Sequence, residues 1–190
     1  MGQNIKENIL QMKNVSELML DLAYSAILLG DERITREVES LFEKIKLLEE
    51  ETVRYVFRIK EADEKRILLL DMIDHVKDIS IAARHIALLA KRGKDFPSVI
   101  KDVLKDSDER VVAERVNPAS TLGNTTVGTL KLRTHVGIRV IAVQRRDMWY
   151  FGISREFSLA PGDIIVAVCS AHAEVILREL AAGKRKLPTV

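Results

Sequence analysis

Apolar residues recur at helical spacing through the first hundred residues of the chain. Over residues 4–29 they fall three or four positions apart, and Gly30 follows where a helix stop is expected. Asp31 and Asp63 are typical N-cap residues for a second helix and for a third helix, which ends at about Gly93. Because the connections are short, we expect these three helices to pack as antiparallel neighbours.

The hydrophobic pattern changes at about residue 107. A shorter fourth helix, introduced by Asp95 and Pro97, is expected to end just before it, near Lys105. Beyond that point, β-branched residues lie in short runs bounded by turn residues, which predicts strands. The expected strands are 111–116, 138–143, 149–152 and 163–168, and the expected short helices are 130–134 and 172–180.

The change of period predicts two domains, and 190 residues suffice for two small ones. We expect an all-α antiparallel helical bundle over residues 1–107 and an α+β domain over residues 108–183. The remaining residues, 184–190, contain Lys184, Arg185 and Lys186, which we interpret as a solvated basic tail.

Composition indicates a folded protein outside the membrane. The chain is 47% hydrophobic and 31% charged, as in ordinary globular proteins. Asp21 and Asp71 interrupt the longest apolar stretches, and the N-terminus lacks a signal peptide, so we expect a cytoplasmic protein with no direct membrane insertion. The single cysteine, Cys169, lies in an apolar run and is interpreted as a buried, inert thiol.

Motifs for catalysis and for nucleic-acid binding are missing from the sequence. The glycines lack phosphate-loop and dinucleotide spacing, there is no Cys and His zinc pattern, and no histidine has a nucleophile in its sequence context. Aromatic residues make up 5% of the chain and rarely alternate with basic ones, which argues against single-stranded nucleic-acid binding. We therefore expect no catalytic residues and no nucleic-acid partner.

Acidic residues follow one face of the third predicted helix and one face of the second. They are Asp71, Asp74 and Asp78, continued by His85, and Glu39, Glu43 and Glu50. Carboxylates on facing helices can bind a hard cation or iron. The alternative is that both stripes face water, which Lys46 among the glutamates favours.

Arginines surround the central strand of the second half. Arg133, Arg139, Arg145 and Arg146 could hold an anionic ligand, because guanidinium groups pair well with phosphate. Scattered surface arginines are the alternative interpretation.

The stretch 116–180 resembles the TrkA-C domain, the C-terminal domain of RCK proteins, which regulate potassium channels and transporters. The matching segments are Asn117-Pro118-Ala119-Ser120, Gly123-Asn124-Thr125-Thr126, Leu130-Lys131-Leu132-Arg133, Gly137-Ile138-Arg139-Val140-Ile141-Ala142-Val143 and Leu159-Ala160-Pro161-Gly162-Asp163-Ile164-Ile165. The last two are the most informative, because a glycine turns a helix into a strand and a Pro-Gly-Asp turn leads into a buried strand.

The helical half is similar to one three-helix repeat of PhoU-like proteins, which regulate phosphate uptake and carry Glu/Asp-x-x-x-Asp metal motifs. Asp74-His75-Val76-Lys77-Asp78 fits the third-helix motif. At the second-helix position, Glu43 is followed four residues later by Leu47, which cannot ligate a metal. The resemblance implies a metal site formed by Glu43, Asp71, Asp74 and Asp78.

The TrkA-C resemblance implies a homodimer, and in some members the dimer interface binds a cyclic dinucleotide such as cyclic di-AMP. Carried over to this chain, the effector groove comprises Val127, Leu132, Arg133 and Arg139. Val127 and Leu132 would contact bases, and the two arginines would reach phosphate or ribose.

Our leading hypothesis is therefore a cytosolic regulatory subunit of potassium or other cation transport. Its dimeric TrkA-C domains would sense a small ligand, and its partner would be a membrane ion transporter or channel subunit. The alternative is a PhoU-like metal-binding adaptor that regulates phosphate uptake, in which the C-terminal domain only dimerises. A third hypothesis is an enzyme that uses the Asp and His face of the third helix.

Overall fold

A computed structural model describes residues 2–95 and 97–187 of the chain. These residues form two compact units, one ending before residue 97 and the other beginning there. In this division the fourth helix falls in the second unit, and the domain boundary expected at residue 107 stays a prediction.

The first unit is a three-helix bundle, as the sequence predicts. Its elements are α1 (Gly2–Leu29), α2 (Glu32–Val56), α3 (Asp63–Leu89) and a closing 3-10 turn (Ala90–Asp95). The Asp31 side chain caps α2 by accepting a hydrogen bond from the Arg33 N–H. Asp63, by contrast, is the first residue of α3, and its predicted capping role is wrong, because Ala62 occupies the cap position.

The core of the bundle comes from apolar residues at helical spacing on all three helices. Five of its large side chains are fully buried: Met12, Met19 and Leu22 of α1, and Ile34 and Ile45 of α2. Burying each of these side chains stabilises the fold by about 1.5 to 3 kcal/mol. The packing of one apolar stripe per helix is therefore what holds the bundle together.

The second unit is an α+β domain built on one four-stranded antiparallel sheet, with strand order β1-β4-β2-β3. Its elements in chain order are α4 (Ser98–Asp106), β1 (Glu109–Arg115), α5 (Val127–Leu130), α6 (Leu132–Val136), β2 (Arg139–Arg145), β3 (Met148–Phe151), β4 (Ile164–Ser170) and α7 (Ala171–Ala181). The predicted fold class is therefore confirmed for both halves.

One face of the sheet packs against α7 and the α5–α6 segment. Alternate β4 residues, Ile165, Ala167 and Cys169, join Leu177 and Leu180 of α7 in this core. Cys169 is buried, as the sequence predicts. The burial of β4 in this core therefore fixes the positions of the ends of the strands and of the turns that connect them.

The helix expected over residues 130–134 is interrupted. Lys131 adopts a left-handed conformation with φ of 45°, which ends α5 and begins α6. An L-residue rarely adopts this conformation, and no glycine in the sequence signals it. Among the described residues, no helix is both long enough and apolar enough to cross a bilayer.

Candidate functional site

Two of the predicted ligand residues flank a tight connection between α6 and β2. We call residues 132–139 the α6–β2 corner. The Gly137 N–H donates to the Arg133 carbonyl oxygen at 3.1 Å, and the Ile138 N–H donates to the Leu132 carbonyl oxygen at 3.2 Å. Gly137 has φ of 70°, which favours glycine. These bonds fold the chain back so that Arg133 and Arg139 stand at the two ends of one turn.

The short helix α5 is fixed beside the segment 155–157. The Val127 N–H donates to the Phe157 carbonyl oxygen at 2.9 Å, and the Gly128 N–H donates to the Arg155 carbonyl oxygen at 2.7 Å. A Cβ atom at residue 128 would lie only 2.8 Å from that same Arg155 oxygen. Glycine is therefore needed at this position for α5 to approach the segment so closely.

The four predicted effector residues lie in different environments. Arg133 is exposed on α6, Arg139 is half-buried at the start of β2, and Val127 is half-buried against the domain core. Leu132 is 1% exposed and belongs to the core itself. The fold thus brings Arg133 and Arg139 to the two ends of one corner in which Leu132 is buried, and the assignment of these residues to a ligand stays a prediction.

The four arginines noted in the sequence separate into two groups. Arg139 is the first residue of β2 and Arg145 is the last, so their Cα atoms lie roughly 20 Å apart at the usual rise of a strand. Arg133 lies near the first and Arg146 directly follows the second. One small anion therefore cannot contact all four.

Arg145 is held by a buried carboxylate. Its Nε and Nη2 atoms donate to Oδ1 and Oδ2 of Asp163 at 2.8 and 2.9 Å, and Nη2 also donates to the Ser158 carbonyl oxygen at 2.8 Å. The guanidinium lies 5.7 Å from the ring centre of Tyr150 and 5.4 Å from that of Phe157. Hydrogen bonding to Asp163 raises the pKa of Arg145 above its ordinary value. The role of Arg145 is therefore structural.

Sequence reasoning missed the role of Asp163. Its side chain is 1% exposed, and it also accepts a hydrogen bond from the Ala160 N–H at 2.8 Å. The signal was present in the turn Ala160-Pro161-Gly162-Asp163, where an aspartate after Pro-Gly can cap its own turn. Its ion pair with Arg145, 18 residues earlier, has no local signature.

The acidic residues predicted to bind metal all lie on exposed surfaces of the bundle. Asp71, Asp74 and Asp78 lie along α3, and Glu43 on α2 pairs with Lys46, the Nζ atom 2.6 Å from Oε2. Nowhere in residues 2–95 and 97–187 do three candidate His, Cys, Asp or Glu ligands converge. As they are placed, the predicted residues do not form a ligand set.

A lysine occupies the position between the two motif aspartates. Lys77 of α3 donates from Nζ to Oε1 of Glu49 on α2 at 2.7 Å, and the pair is about one-quarter exposed. That hydrogen bond, partly opposed by burial, raises the pKa of Lys77, and the charges of Asp74 and Asp78 add to the rise. The side chain of Lys77 therefore places a positive charge among these carboxylates.

Family comparisons identify both halves. The PhoU domain model matches residues 9–92, and the TrkA-C domain model matches residues 111–180. Both are regulatory domains that are generally non-catalytic. No curated protein matches the chain.

Solved structures similar to parts of the chain include two RCK C-terminal domains and one channel. The RCK_C domain dimer of S. agalactiae BusR in complex with c-di-AMP is 13% identical, with 41% of this chain and 96% of that chain covered and a TM-score of 0.38. The KtrA RCK C domain in complex with cyclic diadenosine monophosphate is 17% identical, with coverages of 43% and 94% and a TM-score of 0.36. The GsuK channel bound to NAD is 16% identical, with coverages of 60% and 21% and a TM-score of 0.36.

The matched regions coincide with the two units of the fold. Residues 9–92 fall within the three-helix bundle, and residues 111–180 span the sheet from β1 through most of α7. The resemblances stated from the sequence are thereby confirmed: in this chain a PhoU domain is followed by a TrkA-C domain.

Proposed function

We propose that this protein is a cytosolic regulatory subunit of potassium or other cation transport that senses a small ligand through paired TrkA-C domains. The observation that carries the proposal is the TrkA-C match over residues 111–180, in which the α6–β2 corner presents Arg133 and Arg139. We expect such a sensor in a TrkA-C domain, because these domains occur in regulators of potassium transport.

The chemistry of the corner suits a phosphate-bearing ligand. Guanidinium groups pair with phosphate through two parallel hydrogen bonds, and a ligand reaching both Arg133 and Arg139 would be held by charge at two points. Val127, half-buried on α5, offers an apolar contact for a base. Leu132 is covered by the core, so in this proposal it supports the corner from beneath.

Cyclic di-AMP is the ligand we propose first, because some TrkA-C domains bind this dinucleotide at their dimer interface. A two-fold symmetric ligand with two phosphates matches a dimer that supplies the same two arginines from each chain. The partner on the output side is a membrane transporter or channel subunit.

Regulation requires that the ligand favour one arrangement of the dimer over another. A coupling free energy of about 1 to 3 kcal/mol is typical of linked sites and changes a partner's affinity by roughly 5- to 150-fold. We assign the contact with the partner transporter or channel to the PhoU domain, which lies N-terminal to the sensor in the sequence.

The proposal is tested by calorimetric titration of the purified protein with cyclic di-AMP, ATP and ADP. Arg133→Ala and Arg139→Ala should each weaken binding of the true effector at least tenfold, a loss of about 1.4 kcal/mol. Arg92→Ala, at an exposed position in the first unit, is the matched control and should bind as the parent protein does. The absence of binding by all three nucleotides would contradict the proposal.

The PhoU-like metal-binding adaptor for phosphate uptake remains the alternative, with Glu43, Asp71, Asp74 and Asp78 as its ligands. The lysines Lys46 and Lys77 lie among those carboxylates, which counts against this alternative. Elemental analysis of the purified protein, repeated on Asp74→Ala, distinguishes the metal-binding adaptor from the ligand sensor.

A further inference from the structure

A second basic site lies at the opposite end of β2 from the α6–β2 corner. It is a cavity of about 480 Å³ at the end of the sheet where β1 and β2 finish and β4 begins, and we call it the arginine pocket. Its lining consists of Arg115, Arg145, Arg146, Met148, Tyr150 and the turn 160–163. Three arginines, two of them adjacent in the sequence, therefore line one cavity.

The charge of the pocket is not balanced by its own residues. Asp163 is the single acidic residue in the lining, and both of its carboxylate oxygens accept from Arg145. The lining offers Arg146 no carboxylate other than that of Asp163. Arg115 donates from Nη1 to the Gly162 carbonyl oxygen at 3.1 Å, which positions the guanidinium without neutralising it. Two positive charges therefore remain for a ligand.

The wall of the pocket is apolar on one side. Met148 is 62% exposed and Tyr150 is 36% exposed, both on the edge strand β3. The Tyr150 ring is already oriented by the Arg145 guanidinium and by an edge contact with Phe157, with 5.2 Å between ring centres. An aromatic and a thioether surface beside two guanidinium groups suits a ligand with an anionic end and a flat, apolar end.

We infer that the arginine pocket binds a small organic phosphate, with Arg115 and Arg146 contacting the phosphate and Met148 and Tyr150 contacting the rest of the molecule. Arg145 and Asp163 hold the pocket in shape. Because Arg139 and Arg145 stand at opposite ends of β2, roughly 20 Å apart, this site is separate from the corner assigned to the effector.

The test uses AMP as the organic phosphate and inorganic phosphate as the anion alone, both titrated calorimetrically into the full-length protein. Arg146→Asn is the main variant, because Arg146 has φ of 55° and asparagine tolerates that conformation better than most residues. Arg115→Gln is the second variant, and Arg92→Gln removes an exposed arginine elsewhere. Thermal unfolding of each variant shows that it is folded.

We expect saturable AMP binding that inorganic phosphate competes for, weakened at least tenfold by Arg146→Asn and by Arg115→Gln and unchanged by Arg92→Gln. Cyclic di-AMP binding at the corner should survive Arg146→Asn, so failure here is distinguishable from failure of the proposed sensor. No saturable binding of AMP or phosphate, or binding that Arg133→Ala weakens and Arg146→Asn does not, would overturn the inference.

Discussion

Arg145 and Asp163 form a bidentate ion pair that joins the end of β2 to the turn before β4, with Nε–Oδ1 and Nη2–Oδ2 distances of 2.8 and 2.9 Å. The carboxylate is 1% exposed, whereas the arginine is 36% exposed. A buried carboxylate needs such partners, because an unpaired buried charge is costly. The pair therefore links the end of β2 to the turn 160–163, and both of these line the arginine pocket.

Asp163→Asn should destabilise the TrkA-C domain by about 2 to 3 kcal/mol, because Arg145 and the Ala160 N–H lose a charged acceptor. Urea unfolding measures the loss. Glu114→Gln is the control in the same domain: its partner Arg178 is 61% exposed, so removing that pair should cost less than about 1 kcal/mol. Equal losses for the two variants would contradict the structural role of Asp163.

Gly128→Ala should destabilise the domain by about 1 to 3 kcal/mol, because the added Cβ would lie 2.8 Å from the Arg155 carbonyl oxygen. The helix that carries Val127 must then shift, so cyclic di-AMP binding should weaken as well. Gly30→Asn, at a position outside the proposed effector site, is the control, since a Cβ there meets no atom within 4 Å and asparagine tolerates positive φ. Unfolding and titration of both variants check the expectation, and an unaffected Gly128→Ala protein would contradict it.

Cys169 should make stability depend on pH in alkaline solution. Burial raises the pKa of this thiol from 9.0 to about 11. The unfolded chain loses the thiol proton above pH 9, whereas the folded chain keeps it. The stabilisation is therefore present in full below pH 9 and is lost as the pH rises to about 11, by up to about 2 to 3 kcal/mol.

The measurement is urea unfolding at pH 8, 9 and 10.5 on the parent protein and on Cys169→Ala. Other groups titrate in both proteins, so the difference between them isolates the thiol. As the pH rises, the free energy of unfolding of Cys169→Ala should increase relative to that of the parent protein. A difference that does not change with pH would show that burial does not raise the pKa of the Cys169 thiol.

Lys77 and Glu49 should show a measurable coupling. Their side chains are 31% and 20% exposed, and we expect a double-mutant cycle with alanine to give about 0.5 to 1 kcal/mol. The exposed Lys46 and Glu43 pair, at 44% and 64%, should give less than about 0.5 kcal/mol. A coupling that changes when metal salts are added, together with metal in elemental analysis, would instead support the PhoU-like metal site.

Much of the fold follows from local patterns in the sequence. Apolar spacing defines the three long helices, Gly30 and Asp31 mark a helix stop and a cap, and the β-branched run around Val166 marks the central strand. The left-handed Lys131, which separates α5 from α6, has no such mark, because no glycine stands at this position in the sequence.

The candidate sites were harder to predict, because they depend on strand pairing. Arg133 and Arg139 are six residues apart and a local turn joins them, so a sequence motif could identify both. Arg115 reaches the arginine pocket only because β1 pairs with β4, which sets it opposite Ile164, 49 residues later. No spacing rule connects such residues before the sheet topology is known.

The most direct test of the sensor is the stoichiometry of cyclic di-AMP binding, measured by calorimetry and combined with sedimentation equilibrium of the same sample. We expect one ligand for every two chains and a dimer in solution, with binding lost in parallel in Arg133→Ala and Arg139→Ala. A ligand bound by each chain of a monomer, or no saturable binding, would contradict a paired TrkA-C sensor.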